Sequence, residues 1–485
     1  MFLAGLVSAA VAQTNAPANR ALSLQDCLTE ALKHNFDVQV ERYEPVKSLF
    51  NLHAAYAGYD PTFSLSGTHT HNDVGGPITN ALSVSDGNNV NSGLTGALPW
   101  GMTYGLTGNV AENYGYNSSL PGSYDSSGGQ IGVSATQPLL QNFWVDSTRL
   151  GISAAKNNLK LSEQGLRQQL ITTVTAVENA YYELIYAREN LKVEQEALGL
   201  AQTQLDQDKQ RVQVGSLAPL DVQQDEAQVA QSHANLIAAQ FTLATDENTL
   251  KNLITDHYVQ WHDVTIEPTA TLAAVRQFLD VQESWNKGLT SRPDLLQARV
   301  NLEQQGIQLK YDRNQIFPQL DLVGSYGYNG AGREFSDAFG QYATANRPFY
   351  SYGAQLSVPL SNVKTRNSYQ ADKAVEQQYL LKLKQLEQNI MVQIDDAVKQ
   401  VQSAWESVDA TKQARTYAEA ALDAEQKKYA VGKSTTFTVL QLQNNLTAAR
   451  SQEIRSLANY NEAIANLAQQ EGSSLERHQV DLQVK

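Results

Sequence analysis

Two stretches decide the fold: Leu205-Asp206-Gln207-Asp208-Lys209-Gln210-Arg211-Val212-Gln213-Val214-Gly215 and Leu422-Asp423-Ala424-Glu425-Gln426-Lys427-Lys428-Tyr429-Ala430-Val431-Gly432. Both open on Leu-Asp and close on Val-Gly. A glycine just past a helix adopts the left-handed conformation that side chains disfavour. Arg211 and the pair Lys427-Lys428 lie in the preceding turn, where cations favour the negative end of the helix dipole. Pro219 suits the first turn of a following helix. The spacing predicts two helical hairpins with tips at Gly215 and Gly432.

Outward from the first tip, Leu184, Leu191, Leu198, Leu205 and Val212 recur every seventh residue, as do Val222, Val229, Leu236, Leu243 and Leu250 after it. The second half echoes this more loosely, with Val401, Val408, Leu422 and Tyr429, then Val439, Leu446, Tyr460 and Leu467. A sustained seven-residue spacing predicts helices supercoiled by knobs-into-holes packing. The stretch from Asp146 to Val214 lacks proline, so at about 1.5 Å per residue it can run about 100 Å as one helix.

The tips belong to a duplication of the whole chain. Residues 31–65 lie on 288–322 without a gap, placing Leu32 on Leu289, Asp37 on Asp294, Leu52 on Leu309, Pro61 on Pro318 and Leu65 on Leu322. Gln137-Pro138-Leu139 matches Val358-Pro359-Leu360. Each half reads as short helices, two strands and a long helical hairpin. In the strands, Phe63 and Leu65 alternate with Ser64 and Ser66, Ile131, Val133 and Ala135 with Gly132, Ser134 and Thr136, Leu320, Leu322, Tyr326 and Tyr328 with Gln319, Asp321, Ser325 and Gly327, and Tyr350, Tyr352, Leu356 and Val358 with Ser351, Gly353, Gln355 and Ser357. Runs of about ten residues with one apolar and one small polar face have the pattern of a membrane β-barrel. A soluble sandwich gives the same alternation.

Composition narrows the classes. Of 485 residues only 18% are charged, and the net charge is −14. No basic stripe is present, which argues against nucleic acid as a partner. The single cysteine, Cys27, excludes an intrachain disulfide. After the N-terminal segment no apolar run is long enough for a membrane helix, so a membrane span must be made of strands. Met1–Ala12 reads as an export signal ending in Ala10-Val11-Ala12, and its missing basic region fits a start upstream of Met1. Four strands per chain cannot close a barrel, and an open sheet in lipid leaves its edges unsatisfied. Several chains must then share one barrel, whose use is the passage of cargo.

Ser23-Leu24-Gln25-Asp26-Cys27-Leu28-Thr29-Glu30-Ala31-Leu32 with Asn35, Pro61, Gln137-Pro138-Leu139-Leu140, and Val214-Gly215 followed by Leu220-Asp221-Val222 resemble the TolC-like outer-membrane efflux protein family over nearly the whole mature chain. The resemblance implies a mainly α fold with a membrane β-barrel portion. In it a homotrimer forms a twelve-stranded barrel continued by a twelve-helix periplasmic tunnel. It further implies a periplasmic adaptor and an inner-membrane pump docking at Val214, Gly215, Val431 and Gly432, for efflux or type I secretion, with no cofactor, metal or catalytic residue. The expected divisions are 1–12 signal, 13–60 helices, 61–141 strands 1–2, 142–256 hairpin, 257–286 connector, 287–317 helices, 318–361 strands 3–4, 362–471 hairpin and 472–485 tail. Two departures stand out. Residues 73–127 insert a Gly-, Asn- and Ser-rich stretch, in which Leu94–Val110 alternates weakly about Pro99-Trp100-Gly101. It reads as an extracellular hairpin or as strands reaching beyond the membrane. Asp221 keeps the acidic position after the first tip while the second has Thr438. Asp221 and Asp225 then either form an acidic entrance ring or simply stabilise a helix N-terminus.

Other motifs carry less. Gly432-Lys433-Ser434-Thr435 lacks the first glycine and preceding strand of a phosphate loop. His69 and His71, whose repeat partners are Tyr326 and Tyr328, read as belt positions rather than metal ligands. Asp256, His257, His262 and Asp263 read as a surface loop. Trp144 fits an interface anchor or a packed Trp. No nucleophile–base arrangement stands out, so an enzyme is not expected. A periplasmic coiled-coil scaffold with a soluble sandwich is the alternative.

Overall fold

A computed structural model describes residues 19–75, 82–117 and 122–480. The expected signal at 1–12 and the last residues of the tail lie outside them. In chain order the elements are β1 (Asn19–Leu22), α1 (Leu24–His34), α2 (Phe36–Glu41), α3 (Tyr43–Ala55), β2 (Thr62–Gly75), β3 (Leu82–Ala97), β4 (Thr103–Asn117), β5 (Ser123–Pro138), α4 (Ser147–Gln213), α5 (Pro219–Ile254) and α6 (Tyr258–Trp261). The second half adds β6 (Thr265–Pro268), α7 (Val281–Ser291), α8 (Pro293–Gln315), β7 (Gln319–Gly332), α9 (Phe335–Thr344), β8 (Pro348–Ser357), α10 (Val363–Ala430), α11 (Thr436–Glu471) and α12 (Ser474–Arg477). The paired lengths echo the duplication: α4 and α10 have 67 and 68 residues, and α5 and α11 have 36 each. The residues form two compact units.

One unit holds residues 45–162 and 297–383. Its centre is an antiparallel sheet of six strands among the described residues, in the order β2-β3-β4-β5-β7-β8. The expected four strands are joined by two more, drawn from the insertion. β3 pairs with β2 along its length, from Thr62 opposite Thr95 to Gly75 opposite Leu82. β4 pairs in turn with β3 and β5. The Pro99-Trp100-Gly101 turn joins β3 to β4 at the end of the sheet where α4 begins. There the Pro99 carbonyl accepts from Arg149 Nε at 2.8 Å, and Gly101, at φ +90°, lies against the Asn142 backbone.

Residues opposite one another across a register share a face. One face carries Phe63, Leu65, Leu94, Leu106, Ile131, Val133, Leu322, Tyr326, Tyr350, Tyr352 and Leu356; the other carries Ser64, Ser66, Asn91, Thr107, Ser134, Ser325, Ser351 and Gln355. Most large apolar members of the first face are exposed, Phe63 by 66% and Tyr352 by 86%. A row of this size is unfavourable in water and suits lipid. Beyond this row, α9 covers the same face. Ala338 is buried over Gly330, Tyr342 Oη donates to the Asn109 carbonyl at 2.7 Å, and the Phe335 amide donates to Glu112 at 3.1 Å.

The other unit holds the described residues up to Glu44, Glu163–Leu296 and those from Lys384 on. Its core gathers Cys27, Leu28, Val38, Ile171, Val174, Tyr181, Leu184, Leu250, Ile254 and Ile266. The Ser23–Leu32 motif has a local cause. Ser23 caps α1 reciprocally with Asp26, which sets Cys27 and Leu28 into that core. Asn35 caps α2 through the Val38 amide and donates to the Leu253 carbonyl at 3.1 Å. A two-stranded parallel pair, β1 with β6, was not anticipated from the sequence.

Candidate functional site: the hairpin tips

Both tips have one geometry. Gly215 has φ +78° and Gly432 φ +75°. The Ser216 amide donates to Arg211 O at 2.9 Å and the Gly215 amide to Val212 O at 3.0 Å. At the second tip the Lys433 amide donates to Lys428 O at 2.9 Å and the Gly432 amide to Tyr429 O at 3.1 Å. These bonds satisfy carbonyls that the helix end would otherwise leave bare. Pro219 opens α5 as expected, whereas Thr435 caps α11 by accepting from the Thr438 amide. The packing then leaves apolar side chains in the open at equivalent positions. Val214 is 79% exposed and Val431 69%, and Leu220 and Phe437 are each 63% exposed.

Behind the tips the two hairpins are tied through an acid that the sequence reading passed over. Asp208 is fully buried. It accepts from Tyr429 Oη at 2.7 Å, Gln204 Nε2 at 2.7 Å and Thr436 Oγ1 at 3.3 Å. The Arg211 guanidinium stacks 4.4 Å over the Tyr429 ring. A lone aspartate on a helix gives no sequence signal for this role, although Tyr429 lies on the heptad stripe.

Asp225 departs from its expected place. It is fully buried, with neither carboxyl oxygen reached by a donor, so it faces no passage and cannot serve an entrance ring. Of the two acids only Asp221, half-buried in the first turn of α5, keeps that reading. Burial, and then the negative charge of Asp208, push Asp225 up to about 7. A carboxyl raised in the folded state favours folding while protonated, so its contribution is lost as pH rises from the ordinary range through about 7. Asp225→Asn is expected to leave amide exchange at the tips nearly unchanged near pH 4 and to slow it progressively above that, by at least about tenfold at pH 8, as measured by hydrogen–deuterium exchange. Equal exchange at pH 8 would contradict this account.

The other singled-out residues have ordinary partners. His71 pairs with Asp86 at 2.6 Å and His69 with Asn88 at 2.9 Å across β2 and β3. Asp256 pairs with His34 at 3.1 Å, and His262 with its neighbour Asp263. Trp144 is half-exposed beneath the Arg149 guanidinium. Among the described residues no group of three or more His, Cys, Asp or Glu is placed to hold a metal, and no helix is long and apolar enough to cross a membrane.

A lipid-suited sheet built by the same duplicated chain as two capped helical hairpins defines the class: a membrane β-sheet protein with long coiled-coil hairpins. The chain belongs to the outer membrane efflux protein family, whose model matches residues 105–255 and 286–473. Outer membrane protein TolC of Salmonella enteritidis is 26% identical over 326 residues, which is 66% of this chain and 65% of that protein, just under two thirds. TolC of Vibrio cholerae is 24% identical over 385 residues, 75% of this chain and 82% of its own. The solved outer-membrane channel OprN superposes with a TM-score of 0.70 at 15% identity, over 93% of this chain and 90% of that one. The fold is thus that of the TolC-like channels, and the protein is located in the outer membrane with its helical tunnel in the periplasm.

Proposed function

We propose that the chain is one subunit of a homotrimeric export duct. It passively carries substrates out through the outer membrane after an inner-membrane pump and a periplasmic adaptor deliver them to the hairpin tips. The observation that carries this reading is the pair of equivalent tips, each a left-handed glycine flanked by exposed apolar residues, Val214 with Leu220 and Val431 with Phe437. Exposed apolar side chains on a rigid turn favour a protein partner. Sharing of the sheet among copies is supported by its two edges, β2 and β8, which have no neighbour beyond them among the described residues. The half-buried Leu191, Leu198, Leu205 and Val222 offer a seam for the helices of an adjacent copy. On this reading the acidic Asp221 lies at the periplasmic entrance. OprN, whose fold this chain shares, is an outer-membrane channel, which fits the reading.

Val214→Asp combined with Val431→Asp is expected to cut cross-linking to the adaptor at least tenfold while the chain still reaches the outer membrane. Undiminished cross-linking would remove the tips from the docking role.

A further inference from the structure

The insertion contributes two strands, β3 and β4, to the interior of the sheet. Both run the full height of the sheet, and neither is a flap on its surface. Along one row the register joins Ser66 to Asn91, Asn91 to Asn109 and Asn109 to Gln130. These residues lie on the polar face. A row three residues away along β2 joins Phe63 to Leu94, Leu94 to Leu106 and Leu106 to Val133 on the apolar face. Leu94 and Leu106 thus carry this lipid-facing row across β3 and β4. The strand count also suits closure. β2 ascends from the helical end and β8 descends to it, so β8 of one copy meets β2 of the next antiparallel, as in the single-chain outer-membrane barrels with even strand numbers. An even insertion preserves that relation; an odd one would not.

We propose that three copies close an eighteen-stranded barrel, with the β8 edge of each copy pairing with the β2 edge of the next, in place of the twelve strands of the family pattern. This rests on the trimer of the proposed function. Barrel diameter grows about linearly with strand number, so the wall is about one and a half times as wide, in the range that leaves an aqueous channel. Its lining is small and polar: Ser64, Ser66, Asn91, Thr107, Ser134 and Ser325. An exit of this kind admits bulkier solutes than a twelve-stranded one. Selection among cargos then falls on the helical end.

Disulfide trapping in intact cells separates the alternatives, because Cys27 is buried and does not compete. Ser66→Cys with Asn91→Cys is expected to cross-link within the chain. Ser66→Cys with Gln130→Cys is not, since three strand spacings, about 14 Å, lie between them. The reverse pattern would place β2 directly beside β5, expel the inserted pair from the wall, and overturn the inference. Electron cryomicroscopy of the detergent-extracted particle supplies the second reading. Eighteen strands around three copies supports the proposal. Three copies around twelve strands overturns it and leaves the export duct intact. A particle of any other copy number removes the trimer reading and the inference together.

Discussion

Val133→Arg is expected to empty the outer membrane of the protein, whereas Ser134→Arg, one residue along, leaves it assembled. The two residues are neighbours on β5 but point to opposite faces. Val133 lies in the apolar row with Leu106 and Tyr326, and is 52% exposed in the single chain. An arginine there meets hydrocarbon and costs about 2–4 kcal/mol near the bilayer midplane. The cost recurs in every copy of an oligomer. Ser134 opposes Gly105 and Ser325 on the polar face, where a long charged side chain stays in water. Heat-modifiable oligomer in the outer-membrane fraction is the readout. Loss is expected to be at least tenfold for Val133→Arg and under twofold for Ser134→Arg. Equal behaviour of the two variants would mean that the sheet has no lipid face.

Gly432→Val is expected to stop export without disturbing the sheet. Nothing lies within 4 Å of a side-chain carbon placed on Gly432 or Gly215, so the substitution meets no steric clash with its neighbours. The cost comes from the backbone, since a β-branched residue at φ +75° pays about 1–3 kcal/mol. The chain relieves that strain by unwinding the last turn of α10, which carries the bonds from Gly432 to Tyr429 and from Lys433 to Lys428. Val431 then loses its place and Tyr429 its hold on Asp208. Export measured by substrate accumulation is expected to fall more than tenfold, with unchanged oligomer in the outer membrane. Gly432→Asn is expected to retain most activity, because asparagine tolerates the left-handed region. Normal export by Gly432→Val would mean that the tip conformation has no bearing on function.

Much of this was legible because its causes are local. The tips follow from cations in a last turn and a glycine after it, and both glycines have the left-handed backbone that this predicts. The looser second-half stripe gave the truer core: Val401, Val408, Leu422, Tyr429, Val439, Leu446, Tyr460 and Leu467 are all buried. The cleaner first-half stripe was less direct. Leu191, Leu198 and Leu205 are half-buried, while Ala201, Asp208, Asp225, Ser232 and Ala239 are buried. Periodicity finds a helix face, but which side of that face meets a neighbour depends on the second helix, which the spacing of one helix does not contain.

β3 and β4 escaped a firm reading for a compositional reason. Their apolar face carries Ser92, Gly96 and Gly108 beside Leu94 and Leu106, so the alternation fades where a neighbouring strand supplies the hydrophobic bulk. Asp225 shows the same limit at the site. Its place after Asp221 suggested an acidic ring, but only the packing of the hairpin reveals that it points inward, toward Asp208.

On the proposed reading several copies share one outer-membrane duct. The most direct test is the native mass of the detergent-extracted particle from the outer-membrane fraction. The account predicts a particle of three chains that dissociates only under harsh denaturation. A monomer released without detergent would contradict it and favour a periplasmic scaffold.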